Sequence, residues 1–293
     1  MRLSNILSKL LLLCLSLGIV GILVATFAFV TAYPQLPPVN ALTDYKPKLP
    51  LRIYSREGIL IGEFGQEHRE FIGIDSVPGL LKNAIIAAED EHFLEHHGID
   101  FYGIGRAAIA NLSARGARQG ASTITMQVAR NFFLSSEKTF TRKFNEALLA
   151  IKIERNLTKD QILELYINQI YLGQRAFGFA AASKVYFGKP LSQASLAEIS
   201  MLAGLPKAPS KYNPVANLKR AKQRQAYVLN RMFGLGLISD QDLKVAKTER
   251  LKLSSARPNP SRHAEFFVEM VRQALTEQYG EEAYTRGLIV HTT

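Results

Sequence analysis

An uncharged and largely apolar run over residues 10–33 constrains this chain more than any other feature. As a helix, it is long enough to cross a bilayer core of roughly 30 Å. Basic residues precede the run and the next charged residue is Asp44. The positive-inside rule therefore predicts a cytoplasmic tail over residues 1–9 and export of everything after the span. A cleaved signal peptide ending near residue 32 is the alternative, but the run exceeds the roughly 7–15 apolar residues of a signal core.

The composition is that of a folded protein with an anionic partner. Hydrophobic residues make up 47% of the sequence, which is enough to bury a core, and the formal net charge is +11. That charge fits anionic lipid or a phosphorylated substrate, while export makes nucleic acid a poor partner. The single cysteine, Cys14, excludes an internal disulfide and a cysteine-based zinc site.

Residue patterning predicts a mostly α fold with a small N-terminal β-hairpin region. Prolines make residues 34–50 a stiff, extended spacer. Residues 51–73 alternate as strands do, with a turn near Gly58, and helical spacing dominates after them. A capping-box pattern at Thr158 opens a helix that Gly173 closes. Further helices are predicted over 101–115, 175–187, 192–205, 217–236, 239–250 and 263–279.

The chain therefore divides into five predicted parts. The last of them ends at residues 287–293, which resemble the start of a strand that stops abruptly, so we expect the natural protein to continue. The parts are a tail (1–9), one transmembrane helix (10–33), a spacer (34–50), a main domain (51–250) and a linker with the start of a further region (251–293).

Helical spacing over residues 85–96 predicts that Glu89 lies on an apolar helix face. At about 100° per residue, Ile85, Phe93 and His96 fall within roughly 60° of it. Apolar surroundings disfavour the carboxylate and raise its pKa toward neutral, as a general acid or base requires. A helix-end acid paired with a neighbouring histidine is the alternative.

A second acid, Glu146, lies in a helix that is apolar on nearly all sides, as buried helices are. Arg142 precedes it by four residues, the spacing of a helical ion pair. A buried acid needs a cation whatever its role. Both a catalytic and a purely structural Glu146 are therefore consistent with the sequence.

Between the two acids lies a segment rich in hydrogen-bond donors and cations. A helix start attracts anions through its free N–H groups and dipole, and Ser122 or Thr123 is placed to cap one. The donors are Ser122, Thr123, Thr125 and Gln127, and the cations are Arg130, Lys138, Arg142 and Lys143. Such a set suits a diphosphate, whereas an ordinary capped helix with a solvated basic face is the alternative.

One further pattern has two interpretations, and two others are pattern matches that we discount. Residues 132–134 are apolar and flanked by charge, so they are either core or an apolar tip that gives a second membrane contact. The run from His92 to His96 fits an inverted zinc-protease pattern without an evident third ligand. Ser135 and Lys138 fit the serine motif of penicillin-recognising enzymes, but no Lys-Thr-Gly sequence accompanies them.

Together these pieces resemble the family-51 peptidoglycan glycosyltransferases, the N-terminal domain of class A penicillin-binding proteins. Five sequence blocks of that family occur here in order, within roughly residues 50–250. Met126 departs from the family at the first Gln of the second block. The blocks are Glu-Asp-x-x-Phe-x-x-His-x-Gly from Glu89, Gly-x-Ser-Thr-x-Thr-Gln-Gln from Gly120, Arg-Lys-x-x-Glu from Arg142, Lys-x-x-Ile-Leu-x-x-Tyr-x-Asn-x-x-Tyr-x-Gly from Lys159, and a fifth with Arg224 and Val228-Leu229.

The resemblance implies a lysozyme-like glycosyltransferase fold and an inverting reaction that polymerises lipid II into β-1,4 glycan strands, with release of undecaprenyl diphosphate. Glu89 is then the proton-handling catalytic residue. Glu146 assists at the diphosphate, as ligand of a divalent cation (Mg²⁺ or Mn²⁺), and no organic cofactor is implied. The implied substrate contacts are Asp90, His96, Ser122, Thr123, Thr125, Gln127, Arg130, Lys138, Arg142, Lys143 and Asn168.

The same resemblance implies a single-pass protein of the bacterial cytoplasmic membrane. Its partners are lipid II, the growing glycan strand, membrane lipids and other cell-wall synthesis proteins, and its full-length form continues into a penicillin-sensitive transpeptidase. Two alternatives remain. A lytic transglycosylase or lysozyme-like hydrolase also uses a catalytic glutamate but needs no diphosphate-binding cations, and an inactive membrane-anchored scaffold would be indifferent to Glu89→Gln.

Overall fold

The computed structural model describes residues 12–13, 15–16, 18–21, 23, 26–27, 29–43, 49–65, 67–113, 122–134, 139–254 and 265–292. The predicted tail over residues 1–9 lies outside them. The described residues between 12 and 32 are helical. Across the described ranges, no helix combines the length and the apolar character that crossing a membrane requires.

The segment after the predicted span packs on the domain instead of extending away from it. It contains a 3₁₀ turn at Tyr33–Gln35 and a helical turn at Asn40–Thr43. The Lys152 ammonium donates to the backbone oxygens of Leu36 and Pro37, both at 3.1 Å. The prediction of a stiff, extended spacer is therefore wrong for residues 34–43, because apolar residues between the prolines enter the core. They are Leu36, Val39 and Leu42.

The predicted β-hairpin is confirmed. Strands β1 (Leu51–Tyr54) and β2 (Leu60–Phe64) pair antiparallel, and the turn between them contains Gly58 at φ +79°, a backbone conformation that favours glycine. Two short parallel strands follow, β3 (His68–Arg69) and β4 (Ala176–Phe177). Strand β5 (Ile289–His291) pairs parallel with β1 and completes a sheet of order β2-β1-β5.

Helices make up most of the described chain, as predicted. Their bounds are α1 (Gly79–Glu89), α2 (Phe101–Ser113), α3 (Ile124–Phe133), α4 (Phe140–Glu154), α5 (Lys159–Gln169), α6 (Phe179–Phe187), α7 (Leu196–Gly204), α8 (Leu218–Gly234), α9 (Asp240–Thr248) and α10 (Glu265–Tyr279). The predicted capping box at Thr158 is present. Helix α5 nevertheless ends at Gln169, before the predicted Gly173, because Ile170 is already extended.

The main core joins two groups of helices. Helices α1, α7 and α8 pack against one another, and α3 packs against α4 and α5. The side chains of residues 132–134, at the end of α3, pack against this core and are partly buried. This placement favours the core interpretation of residues 132–134, and their contact with a membrane stays a prediction.

Candidate active site

Glu89 is the last residue of α1, not the middle of a longer helix. Asp90 leaves the helical conformation (φ −161°, ψ 79°) and residues 91–98 form turns and bends. The Asp90 carboxylate accepts hydrogen bonds from the backbone N–H of Ile124 at 2.9 Å and from Nε2 of His96 at 3.0 Å. The prediction that Phe93 and His96 share a helix face with Glu89 is therefore wrong, because the helix ends at Glu89 and these bonds hold Asp90 outside it.

The Glu89 carboxyl lines an open cleft between α1, α2, α3 and α8, with a volume of about 360 Å³. Its side chain is 9% exposed. Oε2 accepts a hydrogen bond from the Gln127 amide at 3.1 Å, and Oε1 accepts one from Nη2 of Arg224 at 3.2 Å. Burial raises the pKa of Glu89 above its usual value, while Arg224, Gln127 and Lys207 oppose that rise.

Arg224 is held in place on three sides. Its Nε donates to the backbone oxygen of Gly204 at 3.2 Å, and its guanidinium lies 4.4 Å from the ring centroid of Tyr227. Its third contact is Glu89 itself. A planar guanidinium fixed by a carbonyl and an aromatic face points in one direction, so it supports Glu89 in one orientation.

The loop after Glu89 is a scaffold for the cleft. The Thr123 hydroxyl donates to the backbone oxygen of Gly98 at 2.7 Å and accepts from the N–H of Met126, which makes Thr123 the N-cap of α3. Gly98 has φ +95°, and a Cβ there would lie 2.8 Å from the backbone carbon of Ala150 in α4. Only glycine allows this approach, which fixes the loop against the helix that carries Glu146.

The histidines of this loop do not form a zinc site. His96 uses Nε2 for Asp90 and Nδ1 for the N–H of Gly98, at 3.1 Å. Nδ1 of His92 lies 3.1 Å from Asp100. In the part of the chain that the structure describes, no group of three or more His, Cys, Asp and Glu side chains is arranged to hold a metal. The inverted zinc-protease pattern is thus contradicted.

Glu146 lies behind the cleft wall, 1% exposed, with a cation on each carboxylate oxygen. Oε1 bonds Nη1 of Arg142, and Oε2 accepts from the Lys143 ammonium at 2.7 Å. Lys143 also donates to the Ser122 hydroxyl at 2.6 Å, and Ser122 lines the cleft. Arg142 and Lys143 already balance the charge of this carboxylate and would repel a divalent cation, so this donor set does not fit the predicted metal ligand.

The structure brings six of the predicted site residues to the cleft and places others elsewhere. Thr125 donates to Glu154 at 2.6 Å, away from the cleft. Asn168 bonds the backbone N–H and C=O of Ile72 at 2.9 and 2.8 Å, which is a structural role. Lys138 lies outside the described residues. The six that line the cleft are Glu89, Asp90, Ser122, Thr123, Gln127 and Arg130.

Several cleft residues were absent from the predicted site. Among them, only Arg224 carried a sequence signal, because it fits the fifth block of the family pattern. The others come together through contacts between distant segments, which spacing along the chain does not reveal. They include Glu91, Arg106, Lys207, Tyr227 and Arg231.

Comparison with known proteins agrees with this architecture. The family model described as Transglycosylase matches residues 57–233, so the chain belongs to the transglycosylase family. This confirms the predicted family. Penicillin-binding protein 1A of Neisseria flavescens is 54% identical over 277 residues, which are 94% of this chain and 35% of that protein. Its counterpart in Pseudomonas aeruginosa is 46% identical over 281 residues, which are 96% and 34% of the two chains.

A solved structure is similar as well. The crystal structure of penicillin-binding protein 1A from Haemophilus influenzae matches 85% of this chain and 27% of its own, with a TM-score of 0.50 and 30% identity. The mostly helical fold with small sheets agrees with that structure. The chain spans about a third of the length of the curated relatives it matches.

Proposed function

We propose that the chain is a peptidoglycan glycosyltransferase that polymerises lipid II into β-1,4 glycan strands and releases undecaprenyl diphosphate. The observation that carries the proposal is Glu89. It is a nearly buried carboxyl in an open cleft, its pKa is raised by burial, and a guanidinium and an amide orient it. The lysozyme-like arrangement and the transpeptidase of a full-length form stay predictions beside it.

Glu89 acts as the base in this proposal. The 4-hydroxyl of the acceptor sugar attacks the anomeric carbon of the donor as the bond from that carbon to the diphosphate oxygen breaks. The hydroxyl proton passes to Glu89, and the electron pair of the broken bond leaves with the diphosphate. A carboxyl with a raised pKa is a stronger base than an ordinary one, and Arg224 keeps enough of it ionised.

The departing diphosphate needs positive charge and hydrogen-bond donors. Arg130, near the end of α3, lines the same cleft as Glu89, and so does Lys207. Ser122 offers a hydroxyl there, positioned by Lys143. Glu146 supports this side indirectly, because it holds Lys143 and Arg142.

A divalent cation at the diphosphate stays a prediction, and no step here depends on one. Glu146 has both carboxylate oxygens on cations, so it does not suit the role of ligand. If Glu146→Gln changes the dependence of activity on Mg²⁺ or Mn²⁺, Glu146 would have to be assigned as a ligand after all.

The test of the function is incubation of the purified chain with lipid II and, separately, with finished peptidoglycan. We expect glycan polymer from lipid II, resolved by gel electrophoresis, and no soluble fragments from peptidoglycan. Fragments without polymer would establish the glycan-cleaving alternative. If neither product forms, the inactive membrane-anchored scaffold is the interpretation that remains.

We further propose that the protein resides in the bacterial cytoplasmic membrane, anchored by residues 10–33, with its catalytic domain outside the cytoplasm. The uncharged sequence of that run supports the anchor. A second contact is better supplied by α2 than by residues 132–134. Phe101 and Tyr102 are 75% and 89% exposed at the start of α2, and α2 forms one wall of the cleft.

The membrane contact predicts that a form without residues 1–33 still binds anionic liposomes. Serine at Phe101 and Tyr102 should release it, because these exposed aromatic side chains supply the apolar contact. Serine at Phe132 and Phe133 is the control and should retain binding wherever the variant folds. Release by the control pair alone would restore the tip at the end of α3 and contradict the role of α2.

A further inference from the structure

We propose that Glu91 is a positioning residue that ties α2 to α8 and so holds the cleft at the width its substrate requires. The substrate part of this proposal rests on the proposed function. Glu91 follows the two acids of the first family block, at a position that the block leaves open. Both of its partners line the cleft.

The Glu91 carboxylate bridges two helices that meet at the cleft. Its side chain is 9% exposed. Oε1 bonds Nη1 of Arg106 in α2, and Oε2 bonds Nη2 of Arg231 in α8. Arg231 is itself fixed, because its Nε donates to the backbone oxygen of Ala87 in α1 at 3.2 Å. The bridge therefore connects α2 to a rigid pair of helices.

The described side chains of α2 make little apolar contact with the rest of the domain. Among its side chains that the structure describes, only Gly103 and Ala107 are buried, and such small residues bury little apolar area. Its start is fixed by Asp100, which accepts from the N–H of Gly103 at 2.8 Å. One turn further along, Arg106 bonds Glu91 and so connects α2 to the loop after α1. This bond is charge-assisted, and the half-exposed Arg106 side chain lets solvent screen part of it.

The electrostatics of Glu91 suit a fixed bridge and not proton transfer. Burial alone would raise the pKa of its carboxyl, but the hydrogen bonds and charges of Arg231 and Arg106 outweigh burial and hold the pKa below its usual value. Both carboxylate oxygens are engaged. Glu91 therefore stays ionised and bonded at neutral pH, unlike Glu89, whose pKa is raised.

A measurement without substrate tests the bridge first. Glu91→Gln should increase hydrogen exchange of the α2 amides roughly tenfold, because the variant loses two charge-assisted bonds. The matched control is Glu70→Gln, since Glu70 pairs with Lys184 at 2.8 Å outside the cleft, and it should leave α2 unchanged. Arg106→Gln should reproduce the effect, and the double variant should add nothing. Equal exchange in Glu91→Gln and wild type would overturn the bridge.

Kinetics with lipid II then test positioning. In Glu91→Gln we expect KM to rise roughly three- to tenfold, because binding of the substrate must then also order α2. We expect kcat to stay within about twofold of wild type, because α2 is in place once the substrate is bound. A merely structural role would lower the active fraction, and so kcat, with KM unchanged. That result, or kinetics equal to those of Glu70→Gln, would overturn the proposal. If wild type makes no polymer, the proposed function fails while the exchange measurement still decides the bridge.

Discussion

Replacing Glu146 by glutamine should lower both stability and activity, whereas Glu154→Gln should lower stability alone. Both acids lie on α4 and both are buried with cation partners. Glu154 accepts from Lys159 at 2.8 Å and from the Thr125 hydroxyl, and it does not line the cleft. Glu146 reaches the cleft through Lys143 and Ser122. The two variants therefore remove similar charges at different distances from the site.

The expected loss of stability follows from the contacts of Glu146. Its bond with Arg142 is largely buried and is worth about 1.5–3 kcal/mol as a charge-assisted bond. Its bond with Lys143 contributes less, because the Lys143 side chain is 44% exposed and solvent screens it. A total near 3 kcal/mol agrees with the usual cost of breaking a buried pair. It corresponds to a fall in Tm of roughly 6–12 °C.

The activity of Glu146→Gln should fall roughly 10²-fold, the size of effect that a small displacement of a substrate-binding group produces. Thermal unfolding followed by circular dichroism measures the first effect, and polymerisation of lipid II per folded molecule, well below Tm, measures the second. Unchanged specific activity in Glu146→Gln would show that the Arg142–Glu146–Lys143 cluster is only structural. An equal loss of activity in Glu154→Gln would refute the link through Ser122.

Two further predictions concern the Arg224 guanidinium and the buried hydroxyls of two tyrosines. Arg224→Gln should move the acidic limb of the pH profile of kcat/KM to higher pH. Arg224 opposes the effect of burial on the pKa of Glu89, so without it the pKa rises further and the ionised base forms only at higher pH. An acidic limb at the wild-type pH would contradict this. Tyr186→Phe should lose about 1 kcal/mol in denaturant unfolding, since its hydroxyl donates to the backbone oxygen of Leu172 at 2.9 Å. Tyr166→Phe should lose nothing, because its buried hydroxyl has no partner among the described residues, and a loss as large as in Tyr186→Phe would refute this.

Local signals predicted the elements of the fold but not all of their ends. The capping box at Thr158 and the turn at Gly58 depend on neighbouring residues, and both are present. Helix α1 was predicted to continue to His96 because the apolar spacing continues. It ends at Glu89, and the carboxylate of Asp90 outside it bonds the N–H of Ile124, a residue that local spacing cannot connect to it.

The sequence predicted some residues of the candidate site correctly and assigned others to it that lie elsewhere. Glu89 and Gln127 belong to different family blocks, and the structure joins them by a hydrogen bond. Asn168 also belongs to a block, but its amide holds the backbone of Ile72 and does not line the cleft. Family patterns record that a residue type is required, and not whether chemistry or folding requires it. Glu91 lies inside a block at an open position, so no pattern indicated its bridge.

The measurement that tests the account most directly is polymerisation of lipid II by Glu89→Gln beside wild type and Glu70→Gln. The account predicts a loss of roughly 10²–10⁴-fold or more in Glu89→Gln, the contribution of a positioned base, with circular dichroism and thermal unfolding like those of wild type. Glu70→Gln should polymerise at the wild-type rate. Near-wild-type turnover in a well-folded Glu89→Gln variant would contradict the assignment of Glu89 and, with it, the central claim.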